Sequence, residues 1–287
     1  TTQPTGQPTG QPTTQPTGKP TAEPTAKATA VCAIEPDANG VVIIPAEWTS
    51  IGYRAFWQCS SLQTLQFETG SQLQTIGDEA FYFCKSMTGT LTVPASVTSI
   101  GAGAFNDCEK LPGVVFESPS QLQTIGDGAF QNTGLIDTIT IPASVITIEP
   151  QAFREIATSY KVLFESGSEL QTIGEMAFDR SGLSGTITIP APVASIQNSA
   201  FMGCTSLSSV VFSCASSVNI GQEVFSQTAV KSISLPDRAT CDGCGVLVEP
   251  IPGCYPTEQP TVQPTMQPTT QPTAQPTTQP TAQPTRK

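Results

Sequence analysis

The stretch LTVPASVTSIGAGAFNDC, residues 91–108, carries two periodicities in succession. Leu91 and Val93 alternate with Thr90 and Thr92, the period of two expected of a strand with one buried face. Pro94 closes that strand because it lacks a backbone donor. Further along, Ile100, Ala104 and Cys108 recur every four residues with Phe105 beside them, a spacing that predicts one buried face of a short helical turn. A strand, a loop and a turn of this size cannot bury their apolar faces alone.

They do not stand alone. Phe56, Phe81, Phe105, Phe130, Phe153, Phe178, Phe201 and Phe225 recur at intervals of 23 to 25 residues, and seven of the eight follow alanine; Val224 precedes the eighth. A slower beat overlies this one. Strands ending in proline (VIIP, LTVP, ITIP, ITIP) alternate with strands ending in phenylalanine at Phe67, Phe116, Phe164 and Phe212. Twelve of the 13 phenylalanines therefore occupy two repeat positions and only Phe83 stands outside, which identifies both positions as packing sites. Repeats of this length stack so that each covers its neighbours, giving a solenoid with one continuous core.

The text VPASVTSIGAGAFNDC resembles the BspA-like leucine-rich repeats, whose pattern of strand, I-P-x-S-V-x-x-I-G-x-x-A-F-x-x-C it follows, and the likeness recurs over about residues 40–236. Glu149 and Gln197 depart from it where the pattern has glycine. The resemblance implies a repeat solenoid with a parallel β-sheet on the concave face, short helical turns on the convex face, and a surface or secreted protein used in adhesion or binding. It implies no enzymatic activity. On this reading Thr92, Val115, Thr140, Leu163, Thr188 and Val211 occupy exposed middle positions of successive strands, in columns of hydroxyl and aliphatic groups on the concave face. Such a row suits a ligand or ordered water, and equally an ordinary strand surface, since β-branched residues favour strands.

Of 287 residues, 1–30 and 256–287 are proline-rich, so about 31–255 is available to fold, with a cysteine-containing cap at about 237–255. The net charge is −11. Each proline-rich end carries +1 (Lys19 and Lys27 against Glu23; Arg286 and Lys287 against Glu258), leaving −13 on the middle. An acidic middle argues against nucleic acid as partner. The chain has no histidine, the commonest general acid–base and metal-ligating side chain, so neither catalysis nor a cofactor is expected. No apolar run approaches the ~20 residues of a membrane span.

Cys59, Cys84, Cys108 and Cys204 follow the repeat phenylalanine by three residues, a slot filled elsewhere by Thr133, Ile156, Ser181 and Thr228. A small buried side chain fits all of these, and a ladder of free thiols is expected there, although thiols on adjacent rungs come within disulfide range. Cys241, Cys244 and Cys254 crowd the C-terminal end. A stapled cap is favoured over a redox or zinc site, because no second cysteine pair stands at zinc spacing, histidine is absent, and disulfides go with oxidising compartments. Asp78, Glu79 and Asp127 are placed at the start of helical turns, where a negative charge suits the helix dipole.

Both ends beat in fours. Threonine follows proline at Thr5, Thr9, Thr13, Thr17, Thr21 and Thr25, and again at Thr257, Thr261, Thr265, Thr269, Thr273, Thr277, Thr281 and Thr285. Pro256 precedes Thr257, and the other prolines of these pairs are Pro4, Pro8, Pro12, Pro16, Pro20 and Pro24, then Pro260, Pro264, Pro268, Pro272, Pro276, Pro280 and Pro284. Such a chain favours polyproline II, in which a four-residue step turns each Pro-Thr pair about 120° from the last. The threonines are candidate O-glycan acceptors and the prolines candidate hydroxyprolines. The pattern resembles mucin-like stalks and hydroxyproline-rich glycoproteins. Together these features predict an extracellular or cell-surface structural glycoprotein. Bead and rod would continue into a longer, self-associating fibre; the alternative is a module that binds a protein or glycan on its concave face.

Overall fold

A computed structural model describes residues 32–250 apart from 214–216, 237, 238 and 242. The chain divides into two compact units, Thr1–Cys254 and Tyr255–Lys287, and all described residues belong to the first. They form a parallel β-solenoid whose rungs each contribute one long strand, one two-residue strand and one turn segment. In chain order the long strands are β1 (Val41–Ile44), β3 (Thr64–Phe67), β5 (Leu91–Val93), β7 (Val114–Phe116), β9 (Thr138–Ile141), β11 (Lys161–Phe164), β13 (Gly185–Ile189), β15 (Leu207–Phe212), β17 (Ser232–Leu235) and β19 (Leu247–Pro250). Between them lie the short strands β2 (Ser50–Ile51), β4 (Thr75–Ile76), β6 (Ser99–Ile100), β8 (Thr124–Ile125), β10 (Thr147–Ile148), β12 (Thr172–Ile173), β14 (Ser195–Ile196), β16 (Asn219–Ile220) and β18 (Thr240–Cys241).

The short strands make one unbroken nine-stranded sheet. Their isoleucines are buried and register rung on rung from Ile51 through Ile220. The long strands instead pair two by two, β1 with β3, β5 with β7, β9 with β11, β13 with β15 and β17 with β19. The prolines explain the interruption. Within a pair, the amide just past the strand reaches back to the previous rung: Glu68 donates to the Ile44 carbonyl, Glu117 to Val93 and Glu165 to Ile141, each at 3.0 Å. At the next interface the equivalent donors would be Pro94, Pro142 and Pro190, which have no N–H. The glutamates also cap the proline-ended strand of the previous rung, for the amides of Ala46, Ala95 and Ala143 donate to the carboxylates of Glu68, Glu117 and Glu165.

Phe56 through Phe225, at the first repeat position, form a single internal column. All eight rings are at most 1 % exposed. Consecutive centroids lie 4.9 to 5.7 Å apart with planes within 3° to 11° of parallel, an offset stack that adds about 0.5–1.5 kcal/mol per contact to burial. The second set is less enclosed: Phe67, Phe116 and Phe164 are half-buried against the core, and Phe212 is buried.

The expected helical turns are absent among the described residues. Each turn segment instead carries two left-handed positions four residues apart, such as Arg54 and Gln58, Glu79 and Phe83, or Gly103 and Asp107. The amides alternate in use. Ala55, Trp57 and Cys59 fold back onto the carbonyls of Gly52, Arg54 and Phe56 at 3.0 to 3.2 Å, whereas Arg54, Phe56 and Gln58 donate to Asp78, Ala80 and Tyr82 of the next rung at 2.7 to 3.1 Å. An α-helix would send every amide back four residues within the segment. Here half of them bond across the stack, and the two left-handed residues restore the four-residue spacing that the sequence suggested was helical.

Candidate interaction surfaces

The long strands present one side chain outward at each middle position. Thr92, Val115, Thr140, Leu163, Thr188 and Val211 are all exposed, and the pairs Thr92–Val115, Thr140–Leu163 and Thr188–Val211 are register partners. Ile43 opposite Gln66 extends the row at one end. Val115, Leu163 and Val211 are 52 %, 53 % and 45 % exposed, so apolar surface recurs on every second rung with a threonine between. Where the proline breaks the ladder between β11 and β13, a groove of about 700 Å³ opens, lined by Leu163, Phe164, Glu165, Thr188, Pro190 and Ala191 among others. The row itself offers methyl and hydroxyl groups and carries no charge.

The thiol slot is buried, and each free thiol in it donates a hydrogen bond. Cys84 donates to the Phe56 carbonyl at 3.0 Å, Cys108 to Phe81 at 3.2 Å and Cys204 to Phe178 at 3.0 Å. Each thiol thus bonds back one rung, and all three are free. Burial pushes the Cys108 thiol well up and the Cys204 thiol up to about 11. Cys59 departs from the expected free ladder, being joined to Cys32 in a disulfide. Its rung is the first, so the previous-rung carbonyl that the other thiols use is missing and the sulfur meets the incoming chain instead. At the other end Cys241 is joined to Cys244. Cys254, and the threonines and prolines of both proline-rich ends, lie outside the described residues.

With no helix among the described residues, the acidic turn residues act differently from the dipole reading. The Asp78 carboxylate accepts the Ala102 amide of the next rung at 2.8 Å, and Asn198 does the same for Gln222 at 2.9 Å. Glu79 pairs with Arg54 at 2.6 Å. Partial burial pushes the Asp127 carboxyl up. No group of three or more His, Cys, Asp or Glu side chains that could hold a metal occurs among the described residues.

Two turn-face clusters went unread in the sequence. Around rung five, Arg154 bonds the buried Asp179 at 3.1 Å and Glu155 at 3.0 Å, with Arg180 3.6 Å from Glu155. Behind it Tyr160 fills a leucine position, fully buried, and burial pushes its phenol far up. On the first two rungs, Tyr53 and Trp57 flank Arg54, whose guanidinium lies 4.8 and 5.5 Å from their ring centroids, and Tyr82 stacks on Phe83 with Lys85 4.0 Å above the latter. The one signal for this second cluster was that Phe83 alone fell outside the repeat positions.

The family description "BspA type leucine rich repeat region" matches residues 40–159 and 123–241. The chain belongs to this BspA-type leucine-rich repeat family. The segments 1–30 and 252–286 match a second description, "PT disordered repeat". Among solved structures, the fold is shared with a leucine-rich repeat protein from Bacteroides ovatus, at 24 % identity and a TM-score of 0.59, covering 73 % of this chain and 59 % of that one. Looser likenesses are the pneumococcal vaccine antigen PcpA, at 20 % identity and TM-score 0.47 over 75 % and 69 % of the two chains, and a leucine-rich cell surface protein from Faecalibacterium prausnitzii, at 26 % and 0.42 over 72 % and 65 %. No curated protein sequence matches the chain.

Proposed function

We propose that this BspA-type solenoid works at the cell surface or outside the cell as a structural bead between glycan-bearing Pro/Thr segments, in a bead-and-rod fibre or surface layer. The carrying observation is the join of Cys32 to Cys59, which closes the first rung covalently; disulfides of this kind belong to oxidising compartments. The family and the Pro/Thr repeats at both ends support the same placement. A rigid, stacked core suits a spacer, because each rung is held by its neighbours and the load is shared along the column.

Intact mass and glycopeptide mass spectrometry of native protein test this reading. A mass well above 30.0 kDa, with sugar on Thr5 to Thr25 and Thr257 to Thr285 and hydroxylation of the prolines before them, is the expected result; an unmodified chain overturns it. A second reading, recognition of a protein or glycan, is favoured by the uncharged row from Thr92 to Val211 and the groove at the β11–β13 seam. Saturable ligand capture by isolated monomers, abolished by Leu163→Glu, supports that reading over the fibre.

A further inference from the structure

Among the described residues, the aromatic side chains that do not pack on the core gather on one patch. Tyr53 is 53 % and Trp57 36 % exposed, and Tyr82 and Phe83 are half-exposed beside them. Trp57 and Tyr82 hold the same repeat position, one residue past the column phenylalanine, on consecutive rungs. The third rung ends the patch with Ala102, Gly103 and Asn106 in the matching places. Arg54 and Lys85 lie against the rings and are paired to Glu79 and Glu109 at 2.6 Å each, so both cations are held in place and the rings present a fixed, amphipathic surface.

We infer that this patch is the docking surface for the chain's own N-terminal Pro/Thr segment, residues 1–31, seated through the prolines nearest the solenoid, Pro20 and Pro24. Three observations point to that occupant. The segment enters at Cys32, which is bonded to Cys59 only two residues beyond Trp57, and the Ala33 amide is fixed to the Ala55 carbonyl at 2.7 Å. Residues 25–31 can span up to about 25 Å, more than is needed to bring Pro24 back over the rings. The chemistry matches as well. Proline-rich segments in polyproline II dock on aromatic-lined surfaces with little ordering cost, and a tetrapeptide advances about 12 Å, enough to cross two rungs whose ring columns are 4.9 Å apart. Charge also favours it, since a segment of net +1 meets a solenoid of net −13. The tether supplies an effective concentration of roughly millimolar, so a contact too weak to capture a free peptide is occupied within one chain.

The full chain labelled with 5-fluorotryptophan tests the inference by fluorine NMR, with Trp57 assigned from Trp57→Phe and Trp48, packed on the core, as the fold reference. Replacing the six prolines Pro4 to Pro24 with alanine leaves the solenoid sequence untouched. The expected result is a shift of the Trp57 resonance in that variant, with Trp48 unmoved and both spectra constant over a tenfold dilution. An unchanged Trp57 resonance overturns the inference. A shift that disappears on dilution overturns it too, by assigning the patch to a second copy.

Discussion

The short strands and the long strands run along the same stack, rung for rung, and they differ in continuity. In the first, nine strands are linked without a break, and the buried isoleucines beside them and the phenylalanine column inside repeat every 23 to 25 residues. In the second, every other interface lacks a donor and the true repeat is the pair. Core packing fixes the shorter period; a single backbone N–H, present in Glu117 and missing in Pro94 or Pro142, fixes the longer one. The same chain thus has a continuous spine and a segmented face.

The sharpest test compares the two phenylalanine sets. Phe130→Ala empties a fully enclosed place in the spine and is expected to cost about 3–5 kcal/mol, whereas Phe116→Ala on the segmented face, where the ring is half-buried, is expected to cost only about 1 kcal/mol. Chemical denaturation of both variants checks this, and equal losses would remove the distinction.

How much of this was legible follows from what each residue has to do. The phenylalanine column was readable because a buried ring has no substitute of equal size and so recurs visibly. The strand pairing was not drawn from the prolines, although Pro94 and Pro142 were seen to end strands, because the donor they lack belongs to a neighbouring rung some 25 residues away. Turn conformation was misread as helix since two left-handed residues four apart mimic helical spacing. The Cys32–Cys59 join depended on Cys59 being in the first rung, a positional fact that the repeat pattern alone conceals.

That join offers the next test. Cys32→Ser with Cys59→Ser is expected to lower stability by about 2–4 kcal/mol and to raise amide exchange first in β1 and β2, while β9 to β12 keep their protection. Uniform loosening along the stack would contradict rung-by-rung support.

A smaller effect separates the free thiols from the rest of the core. Because the folded Cys204 thiol titrates near 11 against an ordinary 9.0, the folded state holds its proton where the unfolded chain has begun to lose it. The contribution is therefore full below about pH 9 and is lost as the pH rises through 11. Stability of the native chain should fall more steeply over that window than stability of Cys204→Ser, in which the hydroxyl can keep the bond to Phe178. Parallel slopes would show that the thiol is not protected.

The smallest effect is on the segmented face. Pro142→Val restores an N–H opposite Phe116, and its net effect on stability is expected to stay within about 1 kcal/mol, a new hydrogen bond set against lost backbone restriction. The informative measurement is exchange at residue 142: protection would show β7 and β9 joined across the former gap, and rapid exchange would mean that something other than the missing donor keeps the pairs apart.

The alternation of proline-ended and phenylalanine-ended strands also sets an arithmetic for insertions and deletions. Removing residues 95–142 joins Pro94 to Ala143 at an equivalent position and leaves every remaining strand beside a partner of the opposite kind. Removing one rung of about half that length instead sets two proline-ended strands side by side, so that two successive interfaces lack their donor, or sets two phenylalanine-ended strands together and makes a triplet. The spine would accept either change, since its rungs are alike. The face counts in twos, and a gene encoding such a chain is expected to lengthen or shorten by even numbers of rungs.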